Sequence, residues 1–406
     1  MKQFDVVIVG AGVVGATAAC ALGASGITVA LVEARSLAGD VDDGVRDARV
    51  FAITRASQRI FAALEVWDRI IARGAYPFRA MEVWDAGGTG VIHFDCADIG
   101  EPCLGHMIEP RIIKAALLER LRSLTAVSLF CPAQVRDITI DEAAISLDLE
   151  EDATLTAKLI IAADGARSPL RERLHLPARV RDYHQSSLVA RVATEYPHNA
   201  TARQRFLPGG PLAFLPVEEG WSSIVWTLPT AEVAGVLALE REDFHAALGH
   251  AFGFRLGRII DSDEREAYPL TRLHAEHYVS ARVALVGDAA HAIHPLAGQG
   301  VNLGLLDVAA LTEVILDARG HGRNPGALPV LRRYERWRRG ENLLMMSAMD
   351  GFNTLFGNQA VPVRWLRNLG LSMVSAAGPA KNLLMRHAAG LAGDLPALAR
   401  AAVDSS

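Results

Sequence analysis

The sequence predicts an α/β fold in which a doubly wound, Rossmann-like domain is interrupted by an antiparallel-sheet domain and followed by a helical C-terminal region. Three observations carry this reading. The β-branched run Phe4–Val9 leads straight into Gly10-Ala11-Gly12-Val13-Val14-Gly15, an Ala-rich helix to about Ser25 and a second strand, Thr28–Val32. That is a βαβ unit of about thirty residues, the expected size. Between about Arg181 and Leu228, strands alternate with Gly/Pro turns such as Pro208-Gly209-Gly210-Pro211, the pattern of an antiparallel sheet. From Ala327 to Ala402 the spacing is mostly helical.

The other elements follow in order. Glu33 closes the second strand, and a Gly/Asp-rich loop runs from Ser36 to Asp47; loops this long are often functional, and a plain insertion fits equally. Residues 54–67 carry Ile60, Phe61, Leu64 and Trp67 on one helical face. Met81–Asp95 reads as a hairpin around Gly87-Gly88-Thr89-Gly90, and Pro110 introduces a helix to Leu121. Strands are expected near Gln134–Ile140, Ala144–Leu149 and Leu159–Ala162, the last ending in Asp164-Gly165. A third parallel-type strand, Arg282–Val286, runs into Gly287-Asp288, and Gly298-Gln299-Gly300 precedes a helix over Asn302–Leu316 that stops near Gly320. This order assigns 1–70, 101–180 and 275–325 to the nucleotide-binding domain, 71–100 and 181–274 to a β-rich substrate domain, and 326–406 to the helical region.

Composition removes several classes. Half of the 406 residues are apolar and 21% are charged, which excludes a disordered, collagen-like or disulfide-stapled chain. Cys20, Cys96, Cys103 and Cys131 form no close pair, so neither a zinc knuckle nor a dithiol centre is expected; they read as reduced thiols of a cytoplasmic protein. No run of about 18 uncharged apolar residues occurs, and the first strand begins at Phe4, too early for a signal or transit peptide. The net charge of −5 is unevenly spread: from His321 onward eleven Lys/Arg face five Asp/Glu, a net of +6, leaving −11 on residues 1–320. The same stretch holds Met345, Met346, Met349, Met373 and Met385, five of the eight methionines. An acidic body with its basic residues on an apolar tail gives no support to nucleic-acid binding.

Gly10, Gly12 and Gly15 occupy the positions of G-x-G-x-x-G. The first permits the tight strand-to-helix turn, the second the approach of a pyrophosphate, and the third close helix–sheet packing; the helix N-terminus then faces the phosphates. Glu33, eighteen residues beyond Gly15, stands where an acid accepts hydrogen bonds from a ribose. The pattern points to a dinucleotide without saying which.

Further motifs carry a family resemblance. Ala162-Ala163-Asp164-Gly165-Ala166-Arg167-Ser168 resembles the Asp-Gly motif of the flavoprotein aromatic hydroxylases (class A FAD monooxygenases), and Arg282–His291 resembles their Gly-Asp motif. Asp47-Ala48-Arg49-Val50-Phe51-Ala52-Ile53, the run from His294-Pro295 through Gly298-Gln299-Gly300-Val301-Asn302 to Gly304, Tyr334-Glu335-Arg336 and Asn342–Met346 resemble the branch acting in ubiquinone biosynthesis. The resemblance implies FAD as cofactor and NAD(P)H as co-substrate. It implies hydroxylation of a polyprenylated phenol by O2 through a C4a-hydroperoxyflavin, with Asp288 on the ribitol chain and Asp164 near FAD and the nicotinamide. Pro295, Gly298, Gly300, Val301 and Asn302 would line the flavin, with Gly298 to Asn302 presenting backbone N–H groups at a helix start.

Arg49 and Arg111 could reach FAD phosphates or the ring edge. At a helix start the dipole does not favour a cation, which leans Arg111 toward function; Arg49 reads equally as a solvated arginine, Arg35 equally as an adenosine contact or a solvated arginine, and Asp164 also as a turn former. His291 and His294 have HxxH spacing but no further ligand nearby, so no metal is expected and a structural role on the flavin side fits better. Tyr183, His184 and Tyr196 fall in the substrate domain, and none is assigned as acid or base. The tail arginines beside Leu, Met and Trp365 suit an anionic membrane surface at its inner face or another pathway protein, and equally helices that cover the flavin domain. Two rival functions stay open: hydroxylation of a small soluble phenol, and a non-catalytic flavin-binding accessory protein.

Overall fold

The computed structural model describes residues 2–37, 46–88, 90–141, 144–150, 153–293, 300–357 and 378–400. A six-stranded sheet organises the first half of the fold, in the order Val279–Ser280, Val283–Leu285, Leu159–Ala162, Val6–Val9, Val29–Val32, Val127–Phe130. Its pairs are parallel apart from the antiparallel edge pair of Val279–Ser280 with Val283–Leu285. The central strands are continuous apolar runs because helices bury both faces. Helix Val13–Ala24 is buried nearly all round, between helices Pro110–Arg122 and Gly300–Gly320, which is why it is Ala-rich rather than amphipathic.

A nine-stranded sheet forms the second half. Its path runs His291–Ala292, Glu266–Ala275, Ala178–Thr194, Trp221–Pro229, Gly210–Pro216, Thr201–Leu207, Ala80–Asp85, Val91–Asp95, with Ile259–Ser262 added on Ala178–Thr194. It is antiparallel as expected, with one exception: Thr201–Leu207 pairs parallel with Ala80–Asp85, which joins the distant hairpin to the sheet. Helices Thr230–Leu237 and Arg241–Phe252 help enclose a core containing Leu188, Phe214, Ile224, Phe244 and Phe252. Smaller sheets are built from Lys2–Gln3, Thr154–Ala157, Ile145–Leu149 and Val135–Ile140, and from Phe51–Thr54, Gly105–Ile108 and Tyr76–Phe78. The α/β class, the two sheets and the helical C-terminal region agree with the sequence reading.

Two local expectations change. The helix expected over 54–67 is two helices, Arg55–Ala63 and Trp67–Arg73, because the chain reverses at Glu65 with φ of +60° and thereby buries both Leu64 and Val66. The edge strand Val127–Phe130 has no counterpart in the sequence reading; it is short, and its centre is exposed.

The C-terminal region is part of the core. Helix Leu328–Gly357 buries Val330, Leu331 and Tyr334 against the parallel-sheet half, and its Met349 packs beside Ile92 and Phe206 of the nine-stranded sheet. Asp350 accepts the Tyr183 hydroxyl at 2.5 Å and pairs with Arg272. Helix Gly378–Ala388 docks on the turn Cys96–Ile99 through Lys381 and Asp98 at 2.8 Å, and Leu395, Leu398 and Ala399 pack on the main core.

Candidate cofactor-binding site

Adjacent parallel strands bring the sequence motifs together. Leu285, Ala162, Val9 and Val32 lie side by side in register at the carboxyl ends of four neighbouring strands. Just beyond them stand Gly287-Asp288, Asp164-Gly165, Gly10–Gly15 and Glu33, the edge at which doubly wound sheets bind ligands.

The three glycines differ in what they permit. Gly10 has φ of +101°, and a Cβ there would lie 2.4 Å from the Ala163 carbonyl oxygen; one on Gly15 would lie 1.9 Å from that of Gly10. A Cβ on Gly12 meets nothing within 4 Å. Gly12 is also the N-cap of the twelve-residue helix, with neither a side-chain cap nor an acid in the first turn. Uncapped N–H groups beside open space suit a pyrophosphate. The Glu33 carboxylate accepts the N–H of Ala11 at 2.8 Å and that of Arg35 at 3.0 Å, so it braces the glycine turn from the next strand.

The two motif aspartates occupy different settings. Asp164 accepts the Leu170 N–H through Oδ2 at 3.1 Å, while its Oδ1 is buried with no hydrogen-bond partner among the described residues. Burial raises its carboxyl above the ordinary carboxylate range, against the opposing pull of Ser168 and Leu170. Asp288 is exposed at the strand edge, and desolvation by the protein packed around it raises its carboxyl too, with His291 acting in the other direction. An orphan oxygen and an acid open at the strand edge are groups that cofactor hydroxyls would satisfy. With the space over Gly12, they fit FAD.

Other expected site residues are engaged elsewhere. Asn302 is buried and bonds away from the strand edge: Oδ1 accepts from Ser57 Oγ at 2.7 Å and the Thr54 N–H at 3.1 Å, and Nδ2 donates to the Ala52 carbonyl at 2.8 Å. Its side chain thus anchors the helix start, leaving the backbone of Gly300 and Val301, both partly exposed, as the groups able to meet a ligand. Arg111 donates to Glu109 at 2.7 Å, and the same carboxylate accepts the Asp47 N–H at 2.9 Å. Arg49 lies 4.7 Å over the Tyr268 ring, on the nine-stranded sheet. Arg35 is exposed. Pro295 and Gly298, with His294, lie outside the described residues, as do residues 38–45 of the Gly/Asp-rich loop.

The structure adds groups that sequence reasoning missed. Arg171, buried, bridges the two aspartate motifs, with Nη1 on the Ala289 carbonyl and Nη2 on the Ala166 carbonyl, both at 3.0 Å. Asp307 receives His291 Nε2 at 2.5 Å and Arg338 Nε at 3.1 Å, all three buried; His291 thus has the structural partner its motif position suggested. The glutamate Glu109 stands directly before Pro110, a helix-start position that gave a usable signal. In the presumed substrate half, Tyr183 is tied to Asp350, whereas His184 and Tyr196 are exposed. A surface cavity of about 450 Å3 lined by Glu313, Asp317, Arg333, Arg336, Trp337 and Asp394 lies far along helix Gly300–Gly320 from these motifs.

The FAD binding domain family matches residues 3–340. The chain is 40% identical to ubiquinone hydroxylase UbiL of Rhodospirillum rubrum over 96% of its own length and 90% of the relative's. It is 37% identical to 3-demethoxyubiquinol 3-hydroxylase of Escherichia coli over 95% of its own length and 98% of the relative's. The fold of p-nitrophenol 4-monooxygenase PnpA from Pseudomonas putida matches with a TM-score of 0.77 at 20% identity, covering 97% of this chain and 99% of that one. Together with the four motifs aligned on one sheet edge, these matches identify the chain as a member of the FAD-dependent aromatic hydroxylases, in the family of ubiquinone-biosynthesis hydroxylases.

Proposed function

We propose that this enzyme hydroxylates the aromatic ring of a polyprenylated quinone precursor, with FAD as cofactor and NAD(P)H and O2 as co-substrates. The observation that carries the reading is the convergence of Gly10–Gly15, Glu33, Asp164 and Asp288 at the carboxyl edge of one parallel sheet, in a chain whose full-length relatives are named for ubiquinone hydroxylation. FAD, when bound, would supply the redox chemistry that couples NAD(P)H oxidation to the reduction of O2, one oxygen atom entering the ring and the other leaving as water. The protein's part is binding and orientation. The uncapped helix start at Gly12 would hold the pyrophosphate, Glu33 the adenosine ribose and Asp288 the ribitol chain, with the backbone N–H groups of Gly300 and Val301 available to the ring. Residues 71–100 and 181–274 hold the substrate in this reading.

Quinone profiling by mass spectrometry tests it. A deletion strain should accumulate a prenylated phenolic intermediate lacking one ring hydroxyl, which plasmid-borne enzyme removes, and the intermediate names the carbon. An unchanged quinone profile would refute the assignment. NADPH oxidation stimulated by simple hydroxybenzoates would favour a soluble phenol, and absence of hydroxylated product a purely accessory role.

A membrane-facing role has one supporting observation. On helix Leu328–Gly357 the exposed Arg332, Arg336 and Arg339 lead into exposed Leu343 and Leu344, the latter 65% accessible. No described helix is long and apolar enough to cross a membrane. An arginine-then-leucine face suits a peripheral contact with an anionic lipid surface. Flotation with anionic liposomes should weaken for a Leu343→Ser/Leu344→Ser variant, and equal flotation would exclude this face.

A further inference from the structure

Behind the Gly287-Asp288 turn lies a buried polar cluster that the cofactor reading does not use. Asp307, about two turns into helix Gly300–Gly320, has no solvent exposure. Its Oδ2 accepts from His291 Nε2 at 2.5 Å and from the Gly287 N–H at 3.2 Å. Its Oδ1 accepts from Arg338 Nε at 3.1 Å and Asn342 Nδ2 at 3.0 Å. Arg338 also donates to Asn342 Oδ1 at 2.9 Å, and Tyr334, from the same helix, donates to the Leu285 carbonyl at 2.8 Å. Burial alone would raise the Asp307 carboxyl; His291, Arg338 and Asn342 more than offset it, and the group is held below its ordinary range as a carboxylate.

Stability alone does not call for such a cluster, because well-packed apolar residues commonly serve a core as well as a buried ion pair. The geometry gives it another task. Gly287 sits at φ +58° with its N–H fixed by the charged oxygen behind it, while the other end of the turn is held by Arg171 on the Ala289 carbonyl. A Cβ on Gly304 would come 3.1 Å from Gly287 Cα, so helix and turn are in close contact. Between the two anchors, Asp288 faces outward.

We infer that Asp307, held by Arg338 and Asn342, is a positioning residue for FAD: it fixes the Gly287-Asp288 turn from the core side and makes cofactor affinity depend on the C-terminal helix. The inference rests on Asp288 meeting the cofactor. Arg338 and Asn342 act through Asp307 and do not themselves touch FAD.

The test is FAD affinity of the full-length protein, stripped and titrated by flavin fluorescence well below the melting midpoint of the FAD-free form. Asn342→Ser and Arg338→Gln should each weaken FAD binding about tenfold, the scale of one charge-assisted hydrogen bond lost. In an Asp288→Asn background the same changes should have little further effect, since they act through that turn. In the wild-type protein without FAD, hydrogen exchange should show the Gly287 amide already protected, because its acceptor is Asp307 and not the cofactor. Should Arg338→Gln fail to fold, Asn342→Ser and the wild-type exchange measurement decide. Wild-type FAD affinity in Asn342→Ser, effects additive with Asp288→Asn, or a Gly287 amide protected only once FAD is added would each overturn the inference. Unchanged affinity in Asp288→Asn alone would instead remove the Asp288 reading on which it stands.

Discussion

Gly12 and Gly15 lie three residues apart in one turn, yet they should answer a methyl group in opposite ways. At Gly15 the added Cβ would sit 1.9 Å from the Gly10 carbonyl oxygen and 3.0 Å from Ala163 Cβ, and that oxygen belongs to backbone that cannot rotate aside. Gly15→Ala should therefore destabilise the fold itself by about 3 kcal/mol or more, the upper end of the overpacking range. At Gly12 the backbone has φ −64° and ψ 178°, which alanine adopts readily, and the Cβ meets nothing within 4 Å. Losing glycine's unfolded-state freedom favours the fold by about 0.4–1 kcal/mol, and the poorer N-cap costs about as much. The FAD-free protein should then melt within a degree or two of wild type. The methyl group would stand where the pyrophosphate approaches, and overpacking of about 1–3 kcal/mol corresponds to a rise of roughly 5- to 150-fold in the FAD dissociation constant. Thermal melts of the FAD-free proteins, with FAD titrations, separate the two effects. Wild-type affinity in Gly12→Ala, or a loss of stability equal to that of Gly15→Ala, would refute the argument that this opening belongs to the cofactor.

Three further outcomes are expected. The Asp288 carboxyl is raised in the folded state, so its contribution to stability is present below the unfolded value and is lost as pH rises through the folded one. Asp288→Asn should accordingly melt higher than wild type at neutral pH without FAD, converge with it in acid, and bind FAD about 10- to 100-fold more weakly; an Asn variant no more stable than wild type at neutral pH would contradict the desolvation argument. His106 and His274 are buried, and desolvation, with nearby arginines, lowers both to about 4. Stability they supply is complete above about pH 6.5 and is lost as pH falls toward 4, by about 1.4 kcal/mol per pH unit for each; urea midpoints of His106→Gln and His274→Gln should show shallower slopes across that window than wild type. Removal of residues 327–406 should leave insoluble protein, because it strips Arg338 from buried Asp307, a cost of about 3–5 kcal/mol, and uncovers the core at Leu331 and Tyr334; a soluble, FAD-loaded truncation would show that the tail is peripheral after all.

How much of this was legible in the sequence follows from how local each signal is. The strand–glycine–helix unit, the Asp-Gly and Gly-Asp turns and the antiparallel block depend on neighbours in the chain, and apolar runs bounded by glycine report them directly. Asn302 was placed at its helix start, but its bonds run to Ala52, Thr54 and Ser57, some 250 residues earlier, and no spacing rule reaches that far. For Arg49 and Arg111 the sequence leaves a cofactor contact and a solvated role open; the partner of Arg111, Glu109, is only two residues away, whereas Tyr268 under Arg49 comes from the other sheet.

For the tail, composition leaves two alternatives open, an anionic surface and helices covering the flavin domain. In the structure Arg338 is spent on Asp307, Arg333 on Asp317 and Lys381 on Asp98. A signal distinguishing Arg338 was present: Leu331, Tyr334, Arg338 and Asn342 fall three or four residues apart on one helical face, so a charge lay in register with the apolar stripe. A cation on that face has to find a buried anion or leave the core, and the nearest route to one ran through the helix after the Gly-Asp turn. Among the described residues of helix Leu328–Gly357, Arg332, Arg336 and Arg339 stay exposed beside Leu343 and Leu344, a smaller patch than the charge count implies. The described tail thus carries two sets of basic residues: a buried one that ties the helix to the cofactor turn, and an exposed one that suits a lipid contact.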